Sequence, residues 1–447
     1  MTNWTARSAG VLLPLSALPS RRLGEDADRF VDLCADAGFG VWQILPVGPP
    51  DTHGNPFQPA SACAGDTTLL PAEPLPFDAR AFDAFVERES DWLEDWALFS
   101  ALRRTHEGAP WWQWAEPLRR AEPAALAAAR RRLSALIDAE LRAQFAFEQS
   151  WSALRGHANA RGVRIFGDVP LFVAHDSADV WLHRELFEVD AEGRCGATVG
   201  VPPDYFSETG QSWGYPPYRW ARIAGQGWRW WRRRFEVQAR RFDLLRLDHF
   251  RGFAAFWRIP GGAATAAAGR WTPGPGRAAV DALADVLGST RLVAEDLGEI
   301  TPDVIALRKS LGIPGMRVLQ FAFDGNPHNE HLPAHHEGDT VCYTGTHDND
   351  TALGWWHAAP EDVRERVRHL LGDNIQMPQA LVDCAWASPA PLSIVPLQDL
   401  LGLGTEARTN RPGIAEGNWG WRFDWAQLPA DAAARWREAL RQHGRAG

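Results

Sequence analysis

Several things are scarce or missing in this sequence, and each shortage closes off a class of function. Lys309 is the only lysine among 46 basic residues, and the formal net charge is −10. That balance leaves no cationic surplus for a polyanion, so no nucleic acid is expected as a partner. The arginine bias itself reads as compositional. The five cysteines, Cys34, Cys63, Cys195, Cys342 and Cys384, are odd in number, scattered and without a Cys-x-x-Cys pair. They argue against a disulfide framework and a zinc site, and they fit a reducing compartment. No apolar run reaches about 18 residues and no basic-then-apolar leader opens the chain, so neither a membrane span nor a signal peptide is expected. The expectation is a soluble cytoplasmic protein. His335-His336 lacks a third ligand at metal spacing, and Gly402-Leu403-Gly404 lacks the third glycine and following acid of a dinucleotide fingerprint. Internal repeats, low-complexity tails and long charge blocks are absent as well.

What is present is an alternation of strands and helices. By length alone 447 residues suggest about two or three domains, but one (β/α)₈ barrel with insertions reaches the same size. Short apolar runs starting at Gly10, Val41, Val163, Asp243, Arg291, Gly315, Thr340 and Leu392 read as eight strands. Helical periodicity lies between most of them, over 26–37, 220–241, 276–287, 302–311, 360–371 and 378–386. The expected fold is therefore α/β, a single (β/α)₈ TIM barrel over residues 1–447. Two stretches interrupt the rhythm. Residues 71–160, with an amphipathic helix over 121–156, read as a helical insertion, and 186–219 read as a second, loop-bearing one. The polar loop from Gly48 to Leu70 is long enough to suggest a functional role. Tryptophan outnumbers tyrosine 23 to 4. Most of those indoles belong to a core, but flat aromatic faces are also what sugar rings stack on.

The chemistry concentrates on strand ends. The stretch DLLRLDHFRG, Asp243 to Gly252, runs from a buried strand into Arg246, Asp248 and His249. Arg246 and Asp248 share a face because alternate strand residues do. The guanidinium then keeps the carboxylate ionised, so Asp248 reads as a nucleophile; an isolated Arg-x-Asp would ordinarily be a structural ion pair. Asp168 ends the third strand, Glu295 the fifth, and His347-Asp348 follow the seventh, so all converge on the C-terminal mouth where barrel active sites lie. Carboxylates at one mouth suit glycosidic bond chemistry, in which one ionised carboxylate attacks the anomeric carbon and one protonated carboxyl serves the leaving oxygen. Glu295, flanked by Val293, Ala294 and Leu297, reads as the acid/base because desolvation raises its pKa; Asp296 is the alternative, but it faces the other way. Asp348 reads as a third acid that binds sugar hydroxyls and stabilises the oxocarbenium-like transition state, with His249 and His347 as hydrogen-bond donors.

RLDHFRG, AEDLG (Ala294 to Gly298) and GTHDNDT (Gly345 to Thr351) together resemble the 4-α-glucanotransferase family, also called amylomaltase or disproportionating enzyme, of the α-amylase clan. The likeness extends through AGVLL, WQILPVGP, GDVPLFVAHDSADVW, VPPDYFSETGQSWG, PGMRVLQFAFDG, PLQDLLGLGTEAR and GNWGWR, which is nearly the whole chain outside the helical insertion. The resemblance implies a barrel without metal or organic cofactor that transfers α-1,4-glucan segments to the 4-hydroxyl of glucose or another glucan. It implies Asp248 as nucleophile, Glu295 as acid/base and Asp348 as stabiliser. Arg246, His249, His347 and Asp168 would contact the sugar, and Asp204, Phe206, Gln211, Trp213 and Asn418 would bind further along. Residues 204–213 resemble the family's mobile acceptor-side loop, whose Tyr205, Phe206 and Trp213 would exclude water, which favours transfer over hydrolysis. Phe57 stands where the family often has Tyr, Tyr215 where it usually has Asn, and the connection near Leu18 to Asp26 is cut short. Two rival readings are an α-glucan hydrolase and a catalytically silent glucan-binding barrel; the intact acid set counts against the second.

Overall fold

In the computed structural model, residues 7–203, 207–414 and 416–446 are described. The apolar runs form eight parallel strands: β1 Ser8–Leu12, β2 Val41–Gln43, β3 Arg164–Val169, β4 Leu244–Leu247, β5 Arg291–Ala294, β6 Gly315–Val318, β7 Thr340–Tyr343 and β8 Leu392–Pro396. They hydrogen-bond in the order β6-β7-β8-β1-β2-β3-β4-β5. At the remaining seam the Ala294 N–H donates to the Pro314 carbonyl at 2.8 Å, and the Asp296 carboxylate accepts the Met316 N–H at 2.7 Å. A side chain stands there in place of a ladder bond, and the sheet is a nearly closed barrel.

The side-chain period of two decides what points inward. Phe166, Leu244, Val293 and Tyr343 fill the barrel with Met316 and Ile394. Ile165, Leu245 and Ala294 point out into the helical layer. The next inward positions along those strands are Asp168, Arg246 and Glu295. Asp296 therefore faces outward, where Arg308 (3.1 Å) and Arg317 (3.4 Å) pair with it.

Residues Ala79 to Ala160 carry the expected helices, the longest being Ser134–Ala160. The single helix expected over 121–156 is two, Pro123–Arg132 and Ser134–Ala160, broken at Leu133. The apolar period runs on across the break, which conceals it. This layer is tied to the polar loop of residues 48–70 by Gln144, whose amide exchanges hydrogen bonds with the backbone of Gly65 (2.9 Å each). A Cβ at Gly65 would lie 2.2 Å from the Phe147 ring, so this close approach requires glycine. The helix expected over 220–241 also divides, into Trp220–Gly225 and Arg229–Arg241, at Gly227 and Trp228, both with positive φ. The Trp228 N–H donating back to Ile223 O is a Schellman-type stop.

A second, four-stranded sheet has no signal of its own in the sequence pattern. Strands Ala197–Val201, Gln211–Tyr215, Ala255–Pro260 and Arg270–Pro273 pair antiparallel in the order Gln211–Tyr215, Ala197–Val201, Ala255–Pro260, Arg270–Pro273. They are short and rich in Gly, Ser and Thr on one side of the centre, so little in them reads as a strand until they pair. No helix among the described residues is long and apolar enough to cross a membrane.

Candidate active site

Arg246 is the hub of the barrel mouth. One of its terminal nitrogens lies 2.8 Å from both an Asp168 oxygen and an Asp248 oxygen. The Asp168 side chain is 0 % exposed, Arg246 is 4 % and Asp248 28 %, so Asp248 is the member of the trio that faces a ligand. Both Asp168 oxygens accept from Arg246. Asp168 therefore reaches a ligand only through the guanidinium that it orients. Burial pushes the Asp168 carboxyl up to about 7, against the pull of Arg246, and the two carboxylates together hold the guanidinium firmly charged.

Glu295 sits across from this trio. His249 takes φ 53°, in the left-handed region, and its N–H donates to the Glu295 carboxyl at 2.7 Å. The Leu297 N–H donates to the other oxygen at 2.9 Å. His249 directly follows Asp248, so bond lengths alone keep the two carboxyl groups within about 8 Å of each other. Although Glu295 keeps some surface at the mouth, protein surrounds its carboxyl. Burial pushes it up to about 8, helped by the Asp248 charge and opposed by Arg246 and the two N–H donors. The expected cause, desolvation, is the leading one. One ion-paired carboxylate thus faces one carboxyl that keeps its proton at neutral pH.

Asp348 enters from the loop after β7. Asn410 Nδ2 donates to its Oδ1 at 2.6 Å, His347 Nε2 lies 3.3 Å from the same oxygen, and Arg408 holds its carbonyl at 2.7 Å. The Asn410 N–H also donates to His347 O at 3.1 Å. Burial lowers the pKa of both histidines, that of His249 to about 4, so both imidazoles are neutral. The enclosed Nε2 of His249 has no hydrogen-bond partner among the described residues, which leaves it for a group brought in from outside.

Trp213 stands edge-on to His249 with ring centroids 4.8 Å apart, and the Gln211 Oε1 accepts from the Trp213 indole at 3.3 Å. Asn418 is less direct. Its amide bridges Ile414 O (2.7 Å) and the Arg411 N–H (2.9 Å) and so shapes its own loop, while its neighbour Trp419 approaches His347, 6.1 Å away. Asp204 and Phe206 lie outside the described residues, as does Tyr205. Sequence reasoning missed Asn410, Arg408 and Trp419. No spacing connects them to Asp348 or His347 before the chain is folded. Among the described residues, no group of three His, Cys, Asp or Glu side chains is placed to hold a metal ion.

The barrel and its carboxylate-lined mouth put the protein in the class of (β/α)₈ enzymes. A 4-alpha-glucanotransferase family model matches residues 13–80 and 73–428. The chain is 42 % identical to a 4-alpha-glucanotransferase of Thermus thermophilus, covering 96 % of this chain and 97 % of that protein. It is 41 % identical to one of Synechocystis, with 94 % and 95 % covered. The amylomaltase of Streptococcus agalactiae, solved in complex with acarbose, superposes with a TM-score of 0.94 at 29 % identity over 99 % of this chain and 100 % of that one. The chain belongs to the 4-alpha-glucanotransferase family.

Proposed function

We propose that the protein cleaves an α-1,4-glucan or maltooligosaccharide and passes the segment to the 4-hydroxyl of glucose or another glucan by double displacement. The observation that carries this is the pairing at the mouth of a protonated Glu295 with an Arg246-paired Asp248. Asp248 attacks the anomeric carbon while Glu295 gives its proton to the leaving glycosidic oxygen, which forms a glycosyl ester. Esterification removes the Asp248 charge that helps to hold Glu295 protonated, so the Glu295 pKa falls as its role changes to base. The acceptor hydroxyl then loses its proton to Glu295 and attacks the ester, releasing the transferred chain and restoring both carboxyl groups.

Asp348 and the two neutral histidines bind the hydroxyls of the same sugar, and Asp348 stabilises the oxocarbenium-like transition state. Arg246 contacts that sugar with Asp168 behind it. Gln211 and Trp213 bind sugars of the outer subsites, and the family resemblance gives Asp204, Phe206 and Asn418 the same role. The unit is one barrel over residues 1–447, with insertions at 71–160 and 186–219. The free cysteines fit the reducing cytoplasm. The test is incubation with maltotriose: free glucose and maltooligosaccharides longer than the substrate are expected together, and hydrolysis products alone would overturn the transfer reading.

A further inference from the structure

One short strand touches one histidine of the mouth and reaches the other through Phe57. Trp213 on the Gln211–Tyr215 strand stands edge-on to His249. Two residues further, the buried Tyr215 donates its hydroxyl to the Phe57 carbonyl at 2.8 Å. The Phe57 ring lies flat on the His347 imidazole, with centroids 4.8 Å apart and planes 15° from parallel. The loop carrying Phe57 is braced from within: Asp51 accepts the N–H groups of His53 and Asn55, and Asn55 accepts that of Phe57. Its outward ties among the described residues include the Tyr215 hydroxyl and the Gln58 amide, which reaches the Trp213 carbonyl at 3.4 Å. Both lead to the same strand, Gln211–Tyr215.

We propose that Tyr215 is a positioning residue that works through Phe57: its hydroxyl fixes the loop so that the Phe57 ring caps His347 and holds the imidazole against Asp348. The strand that carries Trp213 against His249 thereby also sets His347. An imidazole stacked on one face by Phe57 is limited in its tilt, so the 3.3 Å approach of His347 Nε2 to Asp348 is set before substrate arrives. Tyr215 itself touches no reacting atom. This inference rests on the proposed transfer activity for its kinetic reading but not for its structural one.

The test uses the full chain with histidine-selective NMR labelling, the His347 signal being assigned by its loss in His347→Asn. In the native protein the stacked Phe57 ring shifts the His347 ring protons upfield. Tyr215→Phe removes only the hydroxyl, and the upfield shift is expected to relax while kcat on maltotriose falls about tenfold and KM changes less. Phe57→Leu is expected to do the same without touching Tyr215, and the double variant to lose no more than either alone. Unmoved His347 signals with native kcat in Tyr215→Phe, or losses that multiply in the double variant, would overturn the proposal. A native protein that fails to elongate maltotriose, but whose His347 signals still move on Tyr215→Phe, would sink the transfer function and leave the brace standing.

Discussion

At the scale of single residues, the site works by giving similar groups unlike surroundings. Asp248 and Glu295 are both carboxylic acids at one mouth, yet one shares an arginine and the other is enclosed beside a negative charge. Glu295→Gln should cut kcat about 10³-fold while glucan affinity, read by calorimetry, stays close to native. The pH dependence follows from the sign of the shift. The folded carboxyl titrates near 8 against an ordinary 4.5, so the proton that the first step needs is lost as pH rises through about 8. The alkaline limb of kcat/KM should fall there, as a property of the Asp168–Arg246–Asp248–Glu295 cluster, and Glu295→Gln should lack it. Between those two pH values the folded state holds a proton that the unfolded chain has released, so stability also falls as pH rises, and a melting series in Glu295→Gln should be flatter. Asn410 supplies a 2.6 Å bond to Asp348. Asn410→Ala is expected to lower kcat about tenfold with a smaller change in KM, measured on the same substrate.

Among the elements, the β5–β6 seam is where the barrel depends on side chains. Asp296 accepts the Met316 N–H and pairs with Arg308 and Arg317. Strand alternation turns this carboxyl away from the mouth and into this structural role. Asp296→Ala leaves a backbone donor and part of two cations unmatched, so about 3 kcal/mol of stability should be lost. Urea denaturation would show this, and kcat measured well below the melting range should stay near native. The small antiparallel sheet shows the opposite dependence. Its strands are weak as sequence and are made by pairing, such as Trp257 against Trp271, whose rings meet at 5.1 Å.

For the whole molecule, the two ends of the described chain meet beneath the barrel. Arg445 is fully buried and donates to the carbonyls of Trp386, Ser388, Ala390 and Ser8, at 2.6 to 2.9 Å. Arg7 donates to Trp386 O and Ser388 O as well. One side chain thus ties the starts of β1 and β8 to the helix Gln379–Ala387. Arg445→Met should lower stability by about 3 kcal/mol, seen as a lower thermal midpoint, with transfer kinetics in the cold unchanged. The tryptophan excess resolves at this scale too. Trp42, Trp111, Trp151 and Trp231 are core, and Trp213 and Trp419 are indoles that stand beside the mouth histidines.

The eight strands, their inward and outward faces, and the placing of Asp168, Arg246, Asp248, Glu295 and Asp348 at one rim could be read from the chain, because period and strand direction are written in near neighbours. The helix breaks at Leu133 and Gly227–Trp228 are local too, but the apolar pattern runs across them and hides them. Only the folded molecule decided which distant residues meet. Phe57 and Tyr215 lie 158 positions apart, and the fold joins them by a hydrogen bond. Asn410 reaches Asp348 across 62 positions, and Asp296 meets the Met316 N–H, Arg308 and Arg317 at the seam. Such contacts depend on strand register and on how nearly the barrel closes, and both are settled by packing across the whole chain.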